Sequence, residues 1–182
     1  MRTSLLALLC LLLLASCGSP TTPPAPATPT PTPSVRGPNS GLDPCYYTWA
    51  YEPLPEISAE FQDALQAVIP NAEGRAQAYG EKCVKKDHTS TFSAMETDFN
   101  VTLPVPDLTD DEAIGQLVEQ VLEVADQFAP PRVPGPNDGI VTFFVTSGPD
   151  NRIFRVTIPR GRELREQGLH GAALLQAIEA DR

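Results

Sequence analysis

Eight of the chain's 20 prolines lie within the short range 20–38, and this uneven distribution restricts where the chain can fold. The segment 18–41 consists mainly of Pro, Thr, Ala, Ser and Gly and carries one charge, Arg36. Such a composition buries too little apolar surface to offset the loss of chain entropy. We therefore expect a disordered Pro/Thr-rich tether, and then one folded domain over residues 42–182. At about 3.1 Å per residue, the tether reaches at most roughly 70 Å.

A short basic lead and an apolar run precede the tether. Arg2 supplies the positive charge, and the ten residues of the range 5–14 contain no charged or strongly polar side chain. A membrane-spanning helix needs about 20 apolar residues. The run is therefore too short to span a bilayer, and the pattern is typical of a secretory signal peptide.

The string Leu14-Ala15-Ser16-Cys17 closes this run and resembles the lipobox of bacterial lipoproteins. The resemblance implies that residues 1–16 are a lipoprotein signal peptide and that cleavage precedes Cys17. It also implies that Cys17 carries a diacylglycerol, commonly with a further acyl chain such as palmitate, and two or more chains anchor a protein stably. The expected location is extracytoplasmic, on the cell membrane, or on the outer membrane if the source has two. A plain secretory signal cut near Ala15 is the alternative.

The formal net charge of −10 restricts the partners that the protein can bind. Nucleic acid is not expected, because binding phosphates requires clustered Lys and Arg. An acidic body is not drawn to anionic lipid headgroups either, so the predicted lipid on Cys17 has to hold the protein at the membrane. For the tether at 17–41 two interpretations remain, a plain spacer and a glycosylated or wall-binding stalk.

Two cysteines, Cys45 and Cys83, lie in the predicted domain. In an oxidising compartment an even number of cysteines favours a disulfide. On the loop-entropy model this disulfide adds about 3–4 kcal/mol of stability. A free thiol at Cys83 with His88 as its base is the competing interpretation.

The order of predicted elements is αββαββα, which favours the α+β class: an antiparallel sheet of about four strands with helices on one face. Apolar residues at three- and four-residue steps indicate the helices, and alternating apolar residues indicate the strands. We expect Thr109 to cap the second helix in a capping box with Glu112; metal ligation by the acidic residues 110–112 is the alternative. The predicted segments are helices at 55–69, 109–128 and 160–180 (one or two helices around Gly168), strands at 75–84, 92–103, 140–146 and 153–158, and an edge strand at 45–51 near Cys83.

The sheet face opposite the helices is the predicted partner surface. We expect it to carry Glu96, Asp98, Asn100, Phe144, Ile153 and Arg155, while Met95, Phe99 and Phe143 face the helices. Phe144 and Ile153 are apolar for an open surface, and either the aromatic segment 47–51 covers them or they mark a ligand or protein surface. Glu96 and Asp98, about 7 Å apart along the strand, form a weak candidate cation site.

Motifs for catalysis are scarce. The chain has no phosphate-binding Gly-Lys-Ser/Thr loop, no G-x-G-x-x-G and no G-x-S-x-G, so no catalytic or cofactor-binding residue is predicted and no cofactor is expected. The strings at 78–81 and 92–99 resemble those of uncharacterised bacterial envelope lipoproteins, which implies no particular activity. We expect a non-catalytic binding or structural domain with an unidentified partner. The alternative is a small envelope hydrolase that uses His88 or His170.

Overall fold

The computed structural model describes residues 45–181. The predictions for the signal peptide (1–16) and for Cys17 and the tether (17–41) lie outside the described residues. In the described range the helices and strands follow the order β-α-β-β-α-β-β-α-α. They are β1 (Tyr46–Pro53), α1 (Pro55–Val68), β2 (Glu73–Val84), β3 (Ser90–Pro104), α2 (Asp111–Ala125), a 3₁₀ turn (Asp126–Phe128), β4 (Asn137–Ser147), β5 (Asp150–Thr157), α3 (Ile158–Glu166) and α4 (Gly171–Ala180).

The sheet confirms the α+β class but corrects the prediction of an all-antiparallel sheet of about four strands. Five strands lie in the order β1-β2-β3-β4-β5 within residues 45–181, and β3 and β4 run parallel, whereas the other neighbours are antiparallel. The physical reason is the connection between β3 and β4. This connection contains α2 and brings the chain back to the end of the sheet at which β3 begins. A crossover of this kind joins parallel strands.

The core lies between one face of the sheet and the helices. Three aromatic rings form its centre: the ring centroid of Phe61 on α1 lies 4.5 Å from that of Phe99 and 5.4 Å from that of Phe128. Gly74 on β2 makes this approach possible, because a Cβ there would lie 2.7 Å from the Phe61 ring. The strand residues of this face are buried, among them Ala76, Val101, Leu103, Val141, Phe143, Val145, Phe154 and Val156.

All three predicted helical segments are confirmed, the last as two helices, α3 and α4, on either side of Gly168. In the first two, two details differ. The last apolar residue of α1, Val68, was expected on the buried face and is 50% exposed. Asp110, not Thr109, caps α2, since its Oδ1 accepts a 3.0 Å hydrogen bond from the N–H of Ala113. The Thr109 hydroxyl instead donates to Asp107, and Glu112 accepts from the N–H of Ala172 at the start of α4. No helix within residues 45–181 has both the length and the apolar character to cross a bilayer.

The predicted disulfide and edge strand are both present. Cys45 and Cys83 are bonded, with their Cα atoms 5.4 Å apart, and the adjoining β1 pairs with β2 from Tyr46 opposite Val84 to Pro53 opposite Gln77. Met95 was expected in the core but is 39% exposed. The β2–β3 register shifts opposite Tyr79 and Gly80, and the extra residue, Met95, is left out of the alternation.

Candidate functional site

The sheet face that points away from the helices is the candidate site, and we call it the open face. Its residues alternate with the core residues along each strand. Cross-strand registers align Asn100, Thr142 and Arg155 in one row and Phe144 with Ile153 in another. The structure therefore brings the predicted partner-surface residues to one face. Their side chains are exposed or half-buried, except for that of Asp98, which is 7% exposed.

Three aromatic side chains form a cluster at the β1 end of the open face. The Tyr79 ring of β2 stacks on Trp49 at a centroid distance of 5.4 Å and meets Tyr51 at 4.9 Å. Trp49 and Tyr51 remain 58% and 55% exposed. The sequence left open whether this segment covers Phe144 and Ile153; Ile153 is 48% exposed, and β1 pairs with β2 at the edge of the sheet.

Asp98 supports an irregularity between the parallel strands. The register shifts between Thr97 and Phe99, and Asp98 Oδ1 accepts a 2.9 Å hydrogen bond from the N–H of Ile140 in the shifted segment. Gly139 lies so close that a Cβ there would lie 2.8 Å from the same oxygen. Burial raises the pKa of the Asp98 carboxyl, while the Ile140 hydrogen bond and the charge of Arg155 act in the opposite direction. Asp98 thus has a structural role, because it supplies the acceptor for a backbone N–H at the irregularity.

Glu96 lies beside Asp98 on the same face, directly opposite Tyr79. Its burial and the neighbouring charge of Asp98 raise the pKa of the Glu96 carboxyl. The pKa of the Tyr51 hydroxyl is raised as well, first by burial and then by the charge of Asp98. Both shifts have the same two leading causes, first burial and then the negative charge of Asp98. Glu96 and Asp98 have no third ligand beside them: residues 45–181 contain no group of three or more His, Cys, Asp and Glu side chains placed to hold a metal ion.

Two shallow grooves flank this region. One, of about 640 Å³, runs over the middle of the open face and is lined by Arg75, Gln77, Asn100, Thr102 and Phe144 among others. The other, of about 660 Å³, follows β5 and is lined by residues that include Ile153, Arg155, Thr157 and Ile178. Both grooves are partly open to solvent.

The two histidines lie away from the open face. His88 occupies the exposed β2–β3 turn with a positive φ of 65°. His170 precedes α4, and its Nδ1 lies 2.7 Å from Glu119 Oε1. The described hydrogen bonds bring no Ser or Thr hydroxyl to either ring, and Cys83 is held in the disulfide. The structure thus does not assemble a nucleophile with either predicted base in the part of the chain that it describes.

Sequence reasoning missed Tyr79 and Glu81, which join the aromatic residues of β1. Glu81 lies opposite Trp49, and Tyr79 lies opposite Tyr51. The alternation of Arg75, Gln77, Tyr79 and Glu81 along β2 carried the signal, because these residues share one face of a strand. The residues between them, such as Ala76 and Ala78, are short, so the alternation of large apolar and polar residues that predicts a strand was weak here.

Comparisons with known proteins add no relative: no protein-family model, curated protein or solved structure matches the chain.

Proposed function

We propose that this protein is a lipid-anchored extracytoplasmic binding protein. The lipid on Cys17 fastens it to the membrane, the segment 17–41 spaces the domain from the surface, and the domain binds a partner without catalysing a reaction. The lipobox string supports the anchor, and the open face supports the binding role.

The observation that carries the binding role is the exposure of the aromatic cluster. Trp49 and Tyr51 are each more than half exposed, although both rings contact Tyr79. Aromatic side chains are enriched at protein interfaces, because each adds a large apolar area at a small loss of conformational entropy. A strand that serves only to complete the sheet does not require these residues on its solvent side.

Two measurements test the proposal. Mass spectrometry of the protein purified from its source should find Cys17 as the N-terminal residue, with a mass increase that corresponds to a diacylglycerol and an acyl chain. Cys17→Ser should then release the protein from the membrane fraction. A bare Cys17, or cleavage at another residue, would show that the protein is not anchored in this way.

The binding role needs its own experiment. A photo-crosslinking amino acid at Gln77, which lies next to Tyr79 on the open face of β2, should yield a defined adduct in intact cells. The same group at Glu123, an exposed position on α2, is the matched control and should yield none. Equal labelling at both positions would argue against a partner on the open face.

A further inference from the structure

Within the described residues, no strand lies on the outer edge of β1. Among residues 45–181, β1 has one strand neighbour, β2, and its eight residues pair with β2 without a bulge. Edge strands of soluble proteins are commonly blunted by charged side chains, Pro or a bulge. In β1 these features are confined to the last two residues, Glu52 and Pro53. The disulfide holds the other end of β1 beside Cys83, so the edge is ordered before any partner arrives.

The open face beside this edge combines aromatic rings with carboxylates. The strand registers place Trp49 opposite Glu81, and Tyr51 in one row with Tyr79 and Glu96. We call these five residues the aromatic–acidic patch. Neighbouring strands lie about 4.8 Å apart, so a strand added to β1 would bring its side chains alongside the rings of Trp49 and Tyr51.

The charges around the patch favour a cation. The nearby Lys82 points to the other face of β2 and pairs there with Glu52 at 3.6 Å. On the open face, Arg75 lies about 13 Å from Tyr79 along β2. The charge of Arg155 on β5 acts on the Tyr51 hydroxyl in opposition to those of Asp98 and Glu96. Lys85 and Lys86 follow β2, beyond the end of β1 that begins at Tyr46. Burial raises the pKa of the Tyr51 hydroxyl most, and the charges of Asp98 and Glu96 raise it further. Ammonium and guanidinium groups bind the faces of Trp and Tyr rings, and adjacent carboxylates add to this attraction.

Charge also distinguishes a basic partner from a second copy of the chain. Edge-to-edge pairing of two copies through β1 would bring two acidic patches together in a protein whose net charge is already −10. Like charges that face each other across an interface oppose association. A segment with alternating Lys or Arg residues meets no such penalty, because its basic side chains all lie on one face of the added strand.

We propose that β1 accepts an extended, basic segment of a partner protein as a sixth strand of the sheet. Main-chain hydrogen bonds to the outer edge of β1 hold the segment, and its alternating Lys or Arg side chains lie over Trp49 and Tyr51 near Glu81 and Glu96. This inference rests on the proposed binding function and names the chemistry of the partner.

The test uses the mature lipidated protein in detergent micelles and an eight-residue probe peptide of alternating lysine and valine. Fluorescence anisotropy of the labelled peptide measures the affinity. Quenching of Trp49, the single tryptophan of the chain, reports where the peptide lies. Two control peptides separate the contributions: a glutamate–valine peptide reverses the charge, and a lysine–valine peptide with alternate N-methylated residues cannot extend the sheet. We expect the lysine–valine peptide to bind and both control peptides to fail.

Variants of the patch give the second comparison. Trp49→Leu/Tyr51→Leu keeps apolar side chains on the strand but removes the rings, and we expect roughly tenfold weaker binding. Tyr46→Ala is the matched control, because Tyr46 lies on the other face of β1 and is 83% exposed. Glu81→Gln/Glu96→Gln should also weaken binding and reduce its salt dependence, whereas Glu56→Gln/Glu123→Gln should not.

Three results would overturn the proposal: no binding of the lysine–valine peptide, equal binding of its N-methylated form, or a dimer that Trp49→Leu/Tyr51→Leu abolishes. The last result would identify a second copy as the occupant. If the peptide fails but the crosslink at Gln77 persists, the basic-strand inference is wrong and the binding function stands. If both fail, the binding function is wrong as well.

Discussion

Asp98 on β3 accepts a hydrogen bond from the backbone N–H of Ile140 on β4, at 2.9 Å, where the parallel register of the two strands shifts. An acidic side chain thus satisfies a backbone donor in the middle of the sheet. It does so next to Glu96, so two carboxyls lie close together on the open face.

Removal of the Asp98 carboxyl should destabilise the domain. Asp98→Ala leaves the Ile140 N–H without its acceptor, and a buried, unsatisfied donor costs about 1–3 kcal/mol. Asp98→Asn retains an acceptor oxygen and should cost less. Urea unfolding measures both changes. Asp63→Ala, at an exposed position of α1, should change stability by no more than about 0.5 kcal/mol. Equal losses for the alanine and asparagine variants would show that the hydrogen bond does not account for the effect.

Glu96 should make stability fall as its carboxyl ionises. Burial and the charge of Asp98 raise the pKa of Glu96 in the folded domain above its ordinary value of 4.5. The folded state therefore binds more protons than the unfolded state in the window just above that value, and stability decreases as pH rises through it. Glu96→Gln removes this contribution, so its unfolding free energy relative to the wild type should increase between about pH 4 and about pH 7.

Unfolding free energies of both proteins across this pH range provide the measurement. Glu123→Gln, on the exposed surface of α2, controls for the loss of one negative charge from an acidic chain. A difference between Glu96→Gln and the wild type that stays constant with pH would contradict the expectation.

Arg152 should be the main polar link between β5 and two helices. Its guanidinium donates to Glu179 of α4 at 2.8 and 2.5 Å, to Asp111 of α2 at 2.7 Å and to the Leu108 carbonyl at 3.2 Å. Arg152→Met removes all four bonds from a site that is only partly exposed, and should cost about 1–3 kcal/mol. Arg152→Lys should recover little of the lost stability, because an ammonium group cannot form the several hydrogen bonds that the planar guanidinium makes.

Chemical denaturation of both variants measures these losses, with Arg75→Met as the control. Arg75 is exposed on β2 and has no ion pair among residues 45–181. If Arg75→Met costs as much as Arg152→Met, the bonds of Arg152 are not the cause.

The disulfide should stabilise the β1–α1–β2 unit. Cys45 and Cys83 are 38 residues apart in the chain, and on the loop-entropy model their bond is worth about 3–4 kcal/mol. Cys45→Ser/Cys83→Ser should lower the unfolding free energy by that amount, measured in guanidinium chloride. Reductant should have the same effect on the wild type and none on the double variant. An unchanged midpoint in the reduced wild type would rule out a stabilising role.

The local elements were largely predictable because their signals are local. Apolar residues at helical spacing placed α1 and α2 to within a few residues, and the turn residues at 147–151 marked the β4–β5 hairpin. The cap of α2 was predicted one residue too early. Asp107 binds the Thr109 hydroxyl, and that competition between neighbouring side chains does not appear in a capping-box pattern.

The candidate site was predictable only in part. Alternation along the strands correctly grouped Glu96 and Asp98 with Asn100. It did not show that the Asp98 carboxyl accepts a hydrogen bond from the Ile140 N–H. Nor did it place Tyr79 between Trp49 and Tyr51. Both facts depend on the register between strands that are distant in the chain.

By itself the sequence determined the α+β class, the approximate positions of the elements and the cysteine pair, because apolar periodicity, turn residues and composition act over short distances along the chain. Only the tertiary structure decided that β3 and β4 run parallel, that Met95 leaves the core at an irregularity, and that the aromatic residues of β1 meet Tyr79 beside two carboxyls. Strand direction and register follow from how a crossover helix packs on the whole sheet, and that packing is a balance of long-range contacts that no local pattern encodes.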